Sequence, residues 1–247
     1  MNDKPEHILF LKWMILTGLI IFSLIIAWEQ DIIAMLFAVD KSRISWAITL
    51  IYILVTIHCA YRIYTMSLQT NLSMQVEKLI KKEKNITVSV GEDETVIINS
   101  TTKLPACFMS EYIGDIYYRN QTSNKQNDDS ASVDLIEVYE SRLKGPQEIG
   151  WFVSDMMLKM GLLGTIIGFI FMLGSVANIA DFDVSSMQKI LKNMSTGMGT
   201  ALYTTLIGLI GSVLSALQYH MLDRHADELI EMIRHLTQVH VLSKIEQ

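Results

Sequence analysis

The sequence predicts an all-α integral membrane protein: four transmembrane helices, long cytoplasmic helical extensions and one small β-hairpin in the cytoplasmic loop. Three observations carry this. Half of the 247 residues are hydrophobic and only 19% are charged, against about a quarter charged in a soluble domain. The mean hydropathy is +0.31. The apolar excess is gathered in four blocks, each long enough for the roughly 20 residues that cross about 30 Å of hydrocarbon. The net charge of −6 excludes a nucleic-acid binder, which needs a basic face.

The first block runs from Ile8 to Trp28, with Lys12 near its start. No small-residue cleavage site follows it, because Ala27 leads straight into Trp28, Glu29 and Gln30. It therefore reads as a retained helix and not as a signal peptide. The second block is Ile44–Tyr61, closed by Arg62, which places a span over about residues 44–64. The third is Met160–Ala180, between Lys159 and Asp181. The fourth, Met194–Leu222, contains no Lys, Arg, Asp or Glu and is longer than a bilayer requires, so it tilts or projects. Trp13, Trp28 and Trp46 fall near the interfaces. Short connections, Glu29–Arg43 and Asp181–Asn193, separate the spans of each pair.

Basic residues set the orientation. Arg62, Lys78, Lys81 and Lys82 follow span two; Arg142, Lys144 and Lys159 precede span three; Arg224 and Arg234 follow span four. Both termini and the long loop are expected in the cytoplasm of a bacterial cell, with the chain in the inner membrane. Cys59 then lies in the membrane and Cys107 in a reducing compartment, so the two are not expected to pair.

The chain divides into a first transmembrane hairpin over 1–64, a cytoplasmic domain over 65–156, a second, pore-forming transmembrane hairpin over 157–222, and a helical tail over 223–247. In the loop, Leu68, Leu72, Val76, Leu79 and Ile80 have the spacing of a helix that continues from span two. Residues 86–99 place β-branched runs on both sides of an acidic Gly-containing turn, a hairpin signal. Asn120–Ser132 is polar and reads as a loop. A helical pattern resumes at Val133 with Leu135, Ile136, Tyr139 and Leu143, and Gly145-Pro146 is expected to interrupt it before span three. In the tail, Leu222, Ala226, Leu229, Ile233 and Leu236 share one side, and packing against the loop helices is the expectation.

No enzyme motif is present: there is no nucleotide-binding glycine loop, no HExxH and no CxxC. No cofactor or metal is expected, and His225 and His235 read as surface residues. His58 is ionisable at membrane depth, but its place close to Arg62 reads as an interfacial histidine ahead of a proton relay. The informative region is the last two spans. On span four Gly197, Thr200, Ala201, Thr204, Gly208, Gly211 and Ser215 share one face, with Thr205 at its margin. On span three Gly161, Gly164, Thr165, Gly168 and Ser175 do the same. Small residues let helices approach closely, and hydroxyls turned into a bundle can ligate a cation or hold water. No span contains Asp or Glu, so a proton path through this chain must take its carboxylate from another chain.

At these residues, Met160-GLLGTIIGF-Ile170 and Gly197-MGTALYTTLIGL-Ile210, the sequence resembles the MotA/TolQ/ExbB proton-channel family over about 60 residues. The four-span layout is similar to the flagellar-stator branch and the motif wording to the TolQ/ExbB branch. The resemblance implies five copies around the single spans of two partner subunits of the MotB/TolR/ExbD type, whose helix carries the ion-binding Asp. It also implies that Thr165 and Thr205 lie near the ion route. Thr200 stands where ExbB-like members often carry Glu, which leaves Thr200 and Thr204 as further hydroxyls on that face and admits sodium, held at Thr165 and Thr205, as well as proton. The expected function is a pore-forming stator subunit of an ion-driven inner-membrane motor complex, not an enzyme, with the small faces of spans three and four enclosing the partner helix. The alternative is a non-conducting membrane scaffold or sensor that assembles through the same faces and binds a cytoplasmic partner.

Overall fold

The computed structural model describes residues 8–82, 88–90, 96–98, 102–122, 129–177 and 184–242. Six helices and three short strands follow in the order α1 (Ile8–Glu29), α2 (Ile32–Val39), α3 (Ile44–Lys82), β1 (Val88–Val90), β2 (Val96–Ile98), β3 (Thr102–Lys103), α4 (Phe108–Thr122), α5 (Asp129–Ala177) and α6 (Val184–Leu236). A π-helical turn, Thr237–Leu242, closes the described chain. Four of the helices, α1, α3, α5 and α6, are long and apolar enough to cross a membrane. The fold is therefore the all-α, four-span membrane architecture that the composition predicts.

The connections depart from expectation. Residues 29–43 are not a simple link. They contain α2, which starts after Asp31 at φ 57°, a left-handed conformation that Asp tolerates better than most side chains. Asp40 then closes the turn into α3. Its Oδ1 accepts from the Ser42 N–H at 2.9 Å and from Ser42 Oγ at 2.6 Å, and its Oδ2 accepts from the Ser45 N–H at 2.9 Å. One carboxylate thus satisfies free donors at the start of α3. Burial favours the protonated form of Asp40, but the hydrogen bonds from Ser42 and Ser45 outweigh it and hold the carboxyl below its ordinary range.

Residues 184–193, expected as part of an outer connection, are helical and open α6. That stretch contains no Gly or Pro, so nothing in it breaks the ladder. Gly145-Pro146 does not interrupt α5 either; the helix runs 49 residues through Pro146. A proline removes one intrahelical bond. The bond removed is the one to the Arg142 carbonyl; the neighbouring Leu143 carbonyl accepts from Arg62 Nη2 at 2.9 Å.

The chain forms two compact units. One contains residues 1–10, 61–146 and 222–247; the other contains 11–60 and 147–221. In the first, α3 buries Ile63, Met66, Val76 and Ile80. Helix α4, which falls where no element is predicted, buries Met109, Tyr112, Ile113 and Ile116, and α5 buries Ile136, Tyr139 and Leu143. The predicted tail stripe Leu222, Ala226, Leu229, Ile233 and Leu236 is at most 2% exposed. Each large apolar side chain among these contributes about 1.5–3 kcal/mol when fully buried. Tyr112 and Tyr139 meet edge to face at 5.3 Å, and Tyr139 donates to Asp115 at 2.5 Å. Lys144 bridges Asp227 at 2.6 Å and Glu140 at 2.7 Å.

The expected hairpin is a three-stranded antiparallel sheet in the order β1-β2-β3, with Val88 opposite Ile98 and Ile98 opposite Thr102. Val96 packs on Gly114 of α4, where an added Cβ would lie 3.0 Å from its methyl. The acidic turn 91–95 and residues 123–128 of the predicted polar loop lie outside the described residues, while the two ends of that loop, 120–122 and 129–132, are helical and belong to α4 and α5. Cys59 and Cys107 are both free and buried.

Candidate pore-lining helix pair

The second unit contains the transmembrane parts of α3, α5 and α6. Helices α5 and α6 run antiparallel and meet along their glycines. A Cβ at Gly161 would lie 3.1 Å from the Gly208 Cα; one at Gly164, 2.2 Å from Thr204 Oγ1; one at Gly168, 2.6 Å from the Ala201 N; and one at Gly197, 2.9 Å from the Gly168 carbonyl. Only residues without a side chain allow this approach, in which backbone packs on backbone as small-residue stripes permit in membranes. Gly211 continues the line against Met157 and Ile48.

Gly161, Gly164, Gly168, Gly197, Gly208 and Gly211 are all buried, together with Thr200, Ala201, Thr204 and Ser215. The helical face read from the sequence is therefore one physical surface. Its direction differs from the expectation. Both small faces are expected to enclose a partner helix; within the chain they are turned toward each other. The reason is complementarity: two stripes of matched spacing on consecutive antiparallel helices fill each other's grooves and leave no room for a third helix between them. Ser175 lies on α5 outside the residues whose side chains are described.

The hydroxyls divide accordingly. Thr200 and Thr204 are 0% exposed. Thr200 Oγ1 lies 2.9 Å from the Val39 carbonyl and 3.0 Å from that of Thr196, and Thr204 Oγ1 lies 2.9 Å from the Thr200 carbonyl. Val39 belongs to α2, so Thr200 fastens the short helix to α6, a role that only a non-local contact reveals. Thr165 and Thr205, at the margins, keep part of their surface open. Thr165 donates to the Leu162 carbonyl at 2.5 Å. Thr205 reaches across the seam to the Gly161 carbonyl at 3.2 Å, and its own-helix acceptor, Ala201, lies at 3.1 Å. Gly161 is the residue whose carbonyl, in α-helical register, also accepts the Thr165 N–H. The two threonines therefore sit at one level of the helix pair. Each gives its hydrogen to a backbone carbonyl, which leaves oxygen lone pairs able to accept from water or to ligate a cation.

The model of the MotA/TolQ/ExbB proton channel family matches residues 117–235. Over those residues, just under half of the chain, the sequence is similar to this family. No curated protein and no solved structure matches the chain. The family segment takes in the end of α4, all of α5 and nearly all of α6, and so contains the whole glycine seam and both marginal threonines. Helices α1 to α3 and the small sheet lie outside it. The match to this membrane family and the four apolar helices of spanning length support a multi-pass membrane protein. Among the described residues no cluster of His, Cys, Asp or Glu has the arrangement of a metal site.

Two neighbours of the seam carry no simple sequence signal. Gly150 accommodates the ring of Tyr219, whose atoms would lie 2.0 Å from a Cβ there. Met157, fully buried, packs beside Gly211. Both follow from helix rotation, which a one-dimensional pattern does not fix.

Proposed function

We propose that the chain is the pore-forming stator subunit of an ion-driven motor complex in the bacterial inner membrane, with both termini in the cytoplasm. Five copies surround the single-span helices of a MotB/TolR/ExbD-like partner that carries the Asp absent from the spans of this chain. Ion flow along the partner is converted into mechanical motion. The proton is the first candidate ion, and sodium, ligated at Thr165 and Thr205, is the second. The observation that carries the reading is the level pair of partly open threonines beside the glycine seam, inside the family segment. In this assignment Thr165 and Thr205 line the route, while Thr200 and Thr204 hold the helix pair and α2 together from within.

The competing reading, a non-conducting scaffold or sensor, draws on the complete burial of Thr200 and Thr204, which removes two hydroxyls from any exposed path. Thr165→Val and Thr205→Val separate the two, because valine keeps the shape and deletes the hydroxyl. In complexes reconstituted with the partner, proton or sodium flux is expected to fall at least about tenfold, the effect of losing roughly one strong hydrogen bond or ligand, while assembly survives. Unchanged flux in both variants overturns the role given to these residues.

A further inference from the structure

On α6, Ser215, Gln218 and Tyr219 fall at the i, i+3, i+4 spacing of one helix face, and all three are 0% exposed. This face meets α3, which runs parallel to α6: Gly211 lies by Ile48, Gln218 by Tyr52, and Tyr219 by Val55 and His58. The Tyr219 hydroxyl is 2.7 Å from His58 Nδ1 and 3.4 Å from the Val55 carbonyl. The Tyr219 ring is fixed by the space that Gly150 leaves on α5. Gln218 donates its amide N–H to the Tyr52 hydroxyl at 3.4 Å. Two buried oxygens on the same face, Ser215 Oγ and Gln218 Oε1, have no hydrogen-bond partner among the described residues.

We propose that His58 and Tyr219 form a proton-binding site in the membrane unit, separate from the threonine pair. The geometry serves both charge states of the imidazole. When His58 is neutral with its hydrogen on Nε2, the Tyr219 hydroxyl donates to Nδ1. When the phenol hydrogen passes to Nδ1 and a hydronium returns a proton to the Tyr219 oxygen, one N–H bond forms, the phenol O–H bond that breaks is replaced, the imidazole gains one positive charge and one water is released. The new N–H donates to the Tyr219 oxygen, and the phenol hydrogen turns to the Val55 carbonyl, already within reach at 3.4 Å. No heavy atom has to move. Buried polar atoms without a protein partner are commonly met by water, and Ser215 Oγ and Gln218 Oε1 are two such atoms on the same helix face as Tyr219.

The surroundings are sparse in charge. Tyr52 and Cys59 are the other titratable groups of α3 in this stretch, α6 adds the exposed His220 next to Tyr219, and α5 contributes the exposed Glu148, two residues from Gly150, and the exposed Asp155–Lys159 pair, which begins just over one turn beyond Gly150. Arg62 follows His58 by one turn of α3, and Asp223 follows Tyr219 by one turn of α6. An ionisable side chain held at membrane depth by a specific partner is a functional group by default, and histidine is the side chain whose charge changes near neutral pH.

The test reads His58 itself and so stands apart from whether the complex conducts. The full chain, labelled with ¹⁵N at the imidazole nitrogens, is placed in lipid nanodiscs and titrated from about pH 9 to about pH 4, with His58→Gln identifying the His58 resonances. The expected result is a neutral form with hydrogen on Nε2 that converts to a doubly protonated ring within that range. In Tyr219→Phe the proton is expected to bind about tenfold more weakly, because a charge-assisted bond to the imidazolium is stronger than the bond to the neutral ring. A His58 that does not titrate, or one that titrates identically in Tyr219→Phe, overturns the proposal. Retained signals of the other five histidines report that each variant is folded.

Discussion

Replacing Gly208 with alanine tests the helix seam most directly. The new Cβ would meet the Gly161 Cα and the Met157 carbonyl oxygen, each at 2.8 Å. Ordinary contact begins near 3.4 Å, so the two helices must part locally by at least about 0.6 Å. Both obstacles are backbone and cannot swing aside. Overpacking of this kind costs about 1–3 kcal/mol, and the separation also weakens dispersion contacts along the rest of the seam. Alanine is the better helix former by about 1 kcal/mol, which opposes the loss. Gly174→Ala supplies the control: it lies on α5, a methyl group added there meets nothing within 4 Å, and it receives the same propensity gain. The difference between the two variants isolates the steric cost, about 2 kcal/mol, which corresponds to a lowering of the midpoint by roughly 4–8 °C for a chain of this size. The assay follows from the cysteines. Cys59 and Cys107 are 0% and 1% exposed, and they lie in different units. In a Cys107→Ala background, a thiol-reactive dye reports the opening of the unit that contains Cys59. Equal melting of Gly208→Ala and Gly174→Ala would refute the close backbone approach.

Asp40→Ala should cost about 1 kcal/mol, the usual value of a lost helix cap, as a lower melting midpoint in the same dye assay. Because the folded-state pKa of Asp40 is depressed, its contribution is complete above the ordinary value of 3.8 and is lost as pH falls through the folded value; the difference between wild type and variant should shrink in acid. Tyr139 behaves oppositely. Burial, the hydrogen bond to Asp115 and the neighbouring carboxylates of Asp115 and Glu111 raise its pKa above 10.0, against a smaller opposing effect of Arg142. Its stabilisation is therefore complete below pH 10.0 and is lost as pH rises beyond it toward the folded value. Tyr139→Phe should lower stability by about 1 kcal/mol at neutral pH and by less in strong alkali, followed by helical circular dichroism in thermal melts.

The pairing of α5 with α6 explains why glycine and threonine alternate on the same faces. Glycine brings the backbones together; threonine places a hydroxyl beside the contact without widening it, because its hydrogen is given to a nearby carbonyl. The seam thereby stays closely packed but carries oxygen along its edge. A leucine-lined pair of the same length would be equally at home in lipid and would offer no ligand.

The spans are legible in the sequence because crossing a membrane is a local demand: about 20 apolar residues satisfy it wherever they occur. The 3.6-residue period likewise determines which residues of α5, α6 and the tail are buried, since those faces follow from helix geometry alone. The period of α4, carried by Met109, Tyr112, Ile113 and Ile116, is also present, but its short run among polar residues is a weak signal. Pro146 misleads because its cost is a single intrahelical bond, which a helix of 49 residues absorbs. The direction of the small faces, the attachment of Thr200 to Val39 and the meeting of His58 with Tyr219 are decided only in three dimensions. A periodic pattern states that a face is covered; which helix covers it depends on rotation and pairing, and those are set by contacts between residues far apart in the chain.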